Sequence, residues 1–257
     1  MRLKTSTEIE SMAEAGRAAA KALKAMQAAI VAGQTTTMDL EEVARETLRA
    51  EGAKPALLGY HPPFSKVRYE HATCISVNEQ VIHGVPGPRV LKNGDVVSLD
   101  LVAEIDGWMA DTTVTVIVGT GSPKAQRLVE VTRAALQRGI EVIKPGLRLG
   151  DLGNTIQKIV ERNGFSVVRE LAGHGVGSAV HEEGLDVYNF GKPGTGVELR
   201  PGMTFAVEPM VSAGRPQVVH RDGDTWTIYM KDNSLAAHWE HTVAVTEDGC
   251  RVLTLDH

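Results

Sequence analysis

Residues 93–113 read NGDVVSLDLVAEIDGWMADTT. Apolar, β-branched segments flank Asp106-Gly107, a dipeptide that favours a two-residue type I′ hairpin turn. A tight turn there sets Asp100 opposite Thr113 and Asp111 opposite Val102. The two aspartates then share one face as diagonal neighbours, with backbones roughly 7–8 Å apart and tips closer. Carboxylates held that close on an apolar ladder repel each other unless a cation lies between them. The plain alternative is a pair of solvated aspartates beside a turn. The rest of the chain decides against it.

Upstream of the hairpin, Thr7 to Ile30 is expected to be a helix. Thr7-x-x-Glu10 has capping-box spacing, and Ile9, Met12, Ala19, Leu23, Met26 and Ile30 fall on one face, with Gly16 as the weak rung before the stop at Gly33. A second helix opens near Asp39 and ends at Gly52, and Ala53 to His71 reads as loop. Strand-like sequence follows at 73–77, 81–83, 96–105 and 108–118. Downstream, Ser122-Pro123 opens a helix to Lys144, and Asp151 opens another that ends at Asn163-Gly164. Further strands are expected at 204–211, 225–230, 240–245 and 252–255.

The order helix, helix, strands therefore occurs twice. Asp39 and Gly52 recur as Asp151 and Gly164, 112 residues later, and Gly94 and Asp100 recur as Gly202 and Glu208, 108 later. Matched landmarks in matched order point to an internal duplication. The expected architecture is one α+β domain over 1–257, with αα-ββ halves of about 1–120 and 121–257 and a site between them.

Composition removes several functional classes. A net charge of −5 and a pI near 6.0 leave no electrostatic footprint for nucleic acid or an anionic membrane. No apolar run is long enough to span a bilayer, and the charged N-terminus does not resemble a signal peptide. Cys74 and Cys250 are far apart and lack CxxC spacing, which suits a reducing cytoplasm.

Two more acids lie in strand-like sequence, Glu208 in MTFAVEPMV and Glu240 in HWEHTVAV. A charge inside a buried strand needs a partner or a metal, and Pro209 marks a strand end, bulge or edge beside Glu208. In LAGHGVGSAVHEE, residues 171–183, glycines 173, 175 and 177 rule out a helix and allow close backbone approach around His174, with His181 following. His83, in VIHGVPG, sits where a strand meets a turn. Solvated or backbone-satisfied histidines are the plain reading of all three. Four carboxylates and one imidazole make an oxygen-rich set suited to two hard or borderline divalent ions rather than to a closed structural zinc site.

The set Asp100, Asp111, His174, Glu208 and Glu240 resembles the five-ligand site of the pita-bread metallopeptidases. The motifs VNEQVIHGVP, LDLVAEIDGWMADTT, GHGVGSAVHEE, MTFAVEPM and HWEHTVAVTEDG resemble, in order and spacing, those of the short, bacterial-style type I methionine aminopeptidases. That resemblance implies a pita-bread fold of two pseudo-symmetric halves around a central curved antiparallel sheet. It implies two divalent ions (cobalt, manganese, iron or zinc), Asp100 on one, His174 and Glu208 on the other, and Asp111 and Glu240 bridging. Glu208 would shuttle the attacking water's proton, His181 would steady the tetrahedral species, and His83 would contact the peptide on the leaving side. Tyr60, Cys74, Val180 and Trp226 would line or border the first-residue pocket. The substrate would be the N-terminal Met of nascent polypeptides, with small second residues favoured, and the enzyme a cytoplasmic monomer that meets the ribosome transiently.

Two features depart from the family pattern. Val180 stands where an aromatic is expected before His181, and the segment PPFSKVRYEHAT, residues 62–73, is longer than the pattern. Both border the first-residue pocket rather than the acids. Three rivals remain. Xaa-Pro aminopeptidases and dipeptidases share the ligands but usually carry a large N-terminal domain. A non-catalytic binding protein of this fold would typically lack several ligands. A passive metal-binding domain would need neither His83 nor His181.

Overall fold

A computed structural model describes residues 2–62, 65 and 67–256. In chain order it contains α1 (Ser6–Ala28), α2 (Thr37–Ala50), β1 (Lys54–Pro55), β2 (Thr73–Val77), β3 (Gln80–Ile82), β4 (Val96–Ile105) and β5 (Trp108–Ile117). Then come α3 (Pro123–Glu141), α4 (Leu149–Arg162), β6 (Ser166–Val167), β7 (Gly173–Gly175), β8 (Glu182–Val187), β9 (Thr204–Val207) and β10 (Met210–Ser212). The last strands are β11 (Val218–Val219), β12 (Ile228–Met230), β13 (Ala236–His238), β14 (Glu240–Val245) and β15 (Cys250–Val252).

The central hairpin forms as read. Asp106 and Gly107 have φ of 51° and 81°, the paired positive values of a type I′ turn. The register sets Asp100 opposite Thr113 and Val102 opposite Asp111. This hairpin lies in a nine-stranded sheet of order β1-β4-β5-β14-β9-β7-β8, with β2 also on β4 and β15 on β14. Every strand pairing in it is antiparallel.

All four expected helices form, three of them with shifted starts. Two T-x-x-E frames overlap at the start of α1, and the earlier one is used: Thr5 Oγ1 accepts from the Glu8 amide at 3.3 Å, and Glu8 Oε2 accepts from the Thr5 amide at 2.8 Å. The Lys4 amide donates to the Gly202 carbonyl at 2.7 Å, which holds residue 4 outside the helix and makes Thr5 the cap. Glu10, expected in the cap, instead pairs with Arg251. Gly16 is where the Leu253 carbonyl meets α1; a Cβ there would lie 2.0 Å from that oxygen. Ser122 caps α3 as read, whereas α2 and α4 start two residues before Asp39 and Asp151, with Thr36 and Arg148 at the cap positions.

α1 and α2 bury one face on β2, β4 and β5, with Leu23, Met26, Leu48, Ile75 and Leu99 at the contact. α3 and α4 bury theirs on strands that include β9 and β14, through Leu128, Leu136, Ile156, Phe205 and Val243. Each such fully buried side chain stabilises the fold by about 1.5–3 kcal/mol relative to exposure. Among the described residues no helix is long and apolar enough to cross a membrane.

Several strand readings need correction. The segment 204–211 is two strands in two sheets: β9 joins the nine-stranded sheet, and β10 pairs with β13 and β6 in a three-stranded one. The partner segment divides likewise, with β13 on β10 and β14 on β9. The paired segments therefore pass together from one sheet to the other at Glu208-Pro209 and Trp239, consistent with the interruption that Pro209 signals. Short strands β6, β7, β8, β11 and β13 form where no clear alternation marked them, and β1 forms at the start of the segment read as loop, pairing Lys54 with Glu104. The expected 225–230 and 252–255 strands narrow or shift to β12 and β15.

Candidate metal centre

Three adjacent strands bring the first acids together. Thr113 of β5 pairs with Asp100 of β4 on one side and with Glu240 of β14 on the other. Thr113 Oγ1 donates to Glu240 Oε2 at 2.8 Å. Asp111, two residues before Thr113, reaches the same face. Glu208 arrives from the opposite fork of the sheet crossing, where Asn189 Nδ2 holds its carbonyl at 2.9 Å.

His174 approaches from β7, at a register irregularity beside Gly175. Its Nδ1 lies 3.1 Å from the Gly175 carbonyl, so the proton belongs there and the Nε2 lone pair faces the acids. Nε2 lies 3.7 Å from Asp111 Oδ2 and 3.6 Å from Glu208 Oε1. One donor atom each from Asp111, His174 and Glu240 falls within 4.8 Å of the other two. Asp100, Asp111, His174, Glu208 and Glu240 line one cavity of about 120 Å³, together with His83, His181, Cys74 and Val180.

Burial dominates the electrostatics. It pushes Asp111, Glu208 and Glu240 well above the usual carboxylate range, and raises Asp100. For Asp111 the charges of Glu240, Asp100 and Glu208 add to that shift. Asp111 Oδ1 is buried without a hydrogen-bond partner. An unsatisfied carboxylate oxygen amid three other acids and a neutral imidazole fits a divalent cation, which would reverse the carboxylate shifts.

The imidazoles are held neutral. Burial depresses His83 and His174 to about 3, with smaller contributions from neighbouring histidines, and depresses His181 to about 4. His181 stands at the cavity mouth with its edge open to solvent, yet the surrounding protein disfavours its charged form. Its Nδ1 lies 2.6 Å from the Tyr60 hydroxyl, and its ring centroid is 3.8 Å from that of His174. His83 has a φ of 58°, a left-handed conformation costly for a non-glycine residue, just past β3.

The expected pocket residues also converge. Cys74 and Val180 form a buried apolar cluster with Leu57, Tyr69 and Val102, and Tyr60 and Trp226 pack against it. Tyr69 comes from the long 62–73 segment and meets the Trp226 ring edge-on at 5.0 Å. Pro63, Phe64 and Lys66 of that segment lie outside the described residues. Trp226 also lines a groove of about 770 Å³ that shares His83 and Leu171 with the inner cavity.

His238 is the residue that sequence reasoning missed. It is 2% exposed, its Nε2 lies 3.2 Å from Glu208 Oε2, and it lines the acid cavity. The contact is close but off the line of an N–H···O bond, so both ring nitrogens lack hydrogen-bond partners. Its place at the start of HWEHTVAV was visible, but not that β13 ends there and aims it at Glu208.

Acids at a sheet fork beside neutral histidines are matched by sequence likeness over the whole site. Residues 10–247 match the profile of metallopeptidase family M24. The chain belongs to this family. It is 46% identical over 251 residues to the methionine aminopeptidase of Aquifex aeolicus, covering 96% of each chain. The solved methionine aminopeptidase of Thermotoga maritima superposes with a TM-score of 0.94 at 46% identity, over 99% of both chains. The prolidase of Pyrococcus furiosus, at 24% identity, superposes with a TM-score of 0.76 over 99% of this chain and 66% of its own, which shows shared fold alone. This M24 protein thus has the α+β pita-bread fold expected from its motifs.

Proposed function

We propose that this chain is a methionine aminopeptidase, a metal-dependent hydrolase that removes the N-terminal methionine of polypeptides. The observation that carries the reading is one cavity in which four acids and His174 converge beside neutral His181 and an apolar pocket. The near-complete coverage and 46% identity shared with the Aquifex aeolicus enzyme support it.

In this reading Asp100, Asp111, His174, Glu208 and Glu240 are the residues that would hold two divalent ions. Bound divalent ions supply Lewis acidity and lower the pKa of water at neutral pH. Glu208, which lines the same cavity as His174 and His181, would take the proton of the attacking water and pass it to the leaving amine. Neutral His181, oriented by Tyr60, donates to the developing oxyanion. His83 orients the peptide beyond the scissile bond, toward the groove that it shares with Trp226. The methionine side chain is received by the cluster of Tyr60, Cys74, Val180 and Trp226.

The same reading places a monomeric enzyme in the cytoplasm, in transient contact with the ribosome, acting on nascent chains with small second residues. We also read residues 1–257 as one domain of two halves, about 1–120 and 121–257. Each half has its own helix pair and core cluster in support.

The test strips the protein of metal, restores Mn²⁺, Fe²⁺, Co²⁺ or Zn²⁺, and follows cleavage of Met-Ala-Ser, Ala-Pro-Ser and an N-acetylated Met peptide. Release of Met from the first peptide alone, only with metal, is the expected result. Release of Ala from the second would assign an Xaa-Pro peptidase instead, and metal binding without cleavage would assign a binding protein.

A further inference from the structure

We propose that Lys4, at the far N-terminal end of the chain, is a positioning residue for His181 and acts through Glu182. The proposal rests on the reading of His181 as a substrate-contacting group. Its structural basis is a buried ion pair outside the acid cavity.

The Lys4 side chain has no exposed surface, and its ammonium is paired with Glu182 Oε2. The same ammonium donates to the Arg2 carbonyl at 3.0 Å. Lys4 is itself immobilised, because its amide donates to the Gly202 carbonyl at 2.7 Å and α1 is capped at the next residue. The ammonium is thus a fixed point rather than a mobile surface charge.

Glu182 transmits that fixed point to the loop between β7 and β8. Its second oxygen, Oε1, accepts from the Ser178 amide at 3.2 Å, closing residues 178–182 around Val180 and His181. At the loop's other end the Met109 amide donates to the Gly177 carbonyl at 2.8 Å, tying it to β5. Gly177 leaves the space that the pair fills: a Cβ there would lie 2.1 Å from Glu182 Oε1 and 2.6 Å from Lys4 Cε. The loop is therefore held at both ends, and His181 stands between them at the open mouth of the cavity.

A buried ion pair is a poor source of net stability, since desolvation offsets most of the attraction. What it supplies is direction, because the carboxylate must face the ammonium. Catalytic donors need such direction; a displacement of about 1 Å can cost on the order of a hundredfold in rate. Ser178 and Ala179 are exposed and offer the loop little packing of their own.

The experiment compares the metal-loaded protein with K4M, E182Q and K4M/E182Q. Turnover of Met-Ala-Ser, metal content, Tm and hydrogen exchange at the Ser178 amide are followed together. K4M is expected to lose roughly tenfold in kcat with KM within about twofold, to keep its metal, and to exchange the Ser178 amide roughly tenfold faster. E182Q, which keeps the Ser178 acceptor, should lose only about two- to threefold in kcat. K4M/E182Q removes the unpaired charge but not the lost tether, so Tm should recover while kcat stays low. Unchanged kcat per bound metal in K4M with only a lower Tm, or a double variant that recovers both, would overturn the proposal. If the unmodified protein released no Met, the functional reading would fail, while the Ser178 exchange would still report on the tether.

Discussion

Thr113 donates a 2.8 Å hydrogen bond to Glu240 across the β5–β14 rung, and the same threonine is the cross-strand partner of Asp100 on β4. A buried hydroxyl thus sits in register between two acids whose strands lie far apart in sequence. It orients Glu240, lowering the cost of ionising a carboxylate that burial otherwise disfavours.

Thr113→Val keeps the shape and removes the donor. We expect metal affinity to fall about tenfold, as is usual for groups that orient metal-facing carboxylates, with the fold intact. Thr113→Ser should retain most of the affinity. Isothermal titration of the metal-free variants checks this; equal affinity in Thr113→Val would remove the hydroxyl from any role in orienting Glu240.

His181→Ala and Tyr60→Phe separate donation from orientation. Loss of the imidazole should cost on the order of a hundredfold or more in kcat, the scale for one oxyanion-stabilising donor. Loss of the phenol, which only orients the ring through the 2.6 Å contact, should cost about tenfold or less. Metal content measured beside turnover should be unchanged in both. A metal-depleted His181→Ala protein would make this histidine a ligand or a structural group.

Val180 is 3% exposed and packs within the cluster that holds Cys74 and Tyr69. Val180→Phe adds volume there and should change the ranking among first residues more than the rate on Met. Competition between Met, Leu and norleucine peptides measures it. An unchanged ranking would take residue 180 out of the pocket wall.

The raised carboxylates predict an unusual dependence on pH. Their folded-state pKa values exceed the unfolded ones, so their contribution to the metal-free fold is complete below about pH 4 and is lost as pH rises through the folded values. Protons therefore compete with metal above the range where ordinary carboxylates are already ionised. Apparent metal affinity should keep rising from pH 5 towards 8, as chelator competition would record. No break is expected near 6.5, because His174 is held at about 3 and His238 at about 4. A flat profile above pH 5 would mean the acids ionise normally.

The sequence by itself determined what local rules govern. Asp106-Gly107 specified its turn, and period-two alternation then placed Asp100 and Asp111 on one face, because strand register follows directly from turn type. Apolar spacing located all four helices, but of the start signals only Ser122 is a cap: α1 is capped at Thr5 beside the Gly202 contact, and Asp39 and Asp151 lie in the first turns of α2 and α4. Glu208, Glu240, His174 and His181 could be picked out as candidates from their local settings, but nothing local aims them at one point; only the motif resemblance grouped them.

Tertiary structure decided the rest. Glu208 and His238 meet because two paired segments change sheets together, and Lys4 reaches Glu182 across 178 residues of chain. Such meetings depend on pairings between distant segments, which no window of neighbouring residues encodes. Their physical origin is burial: the sheet fork excludes water from groups that would otherwise be solvated, and only partners brought there by the fold can satisfy them.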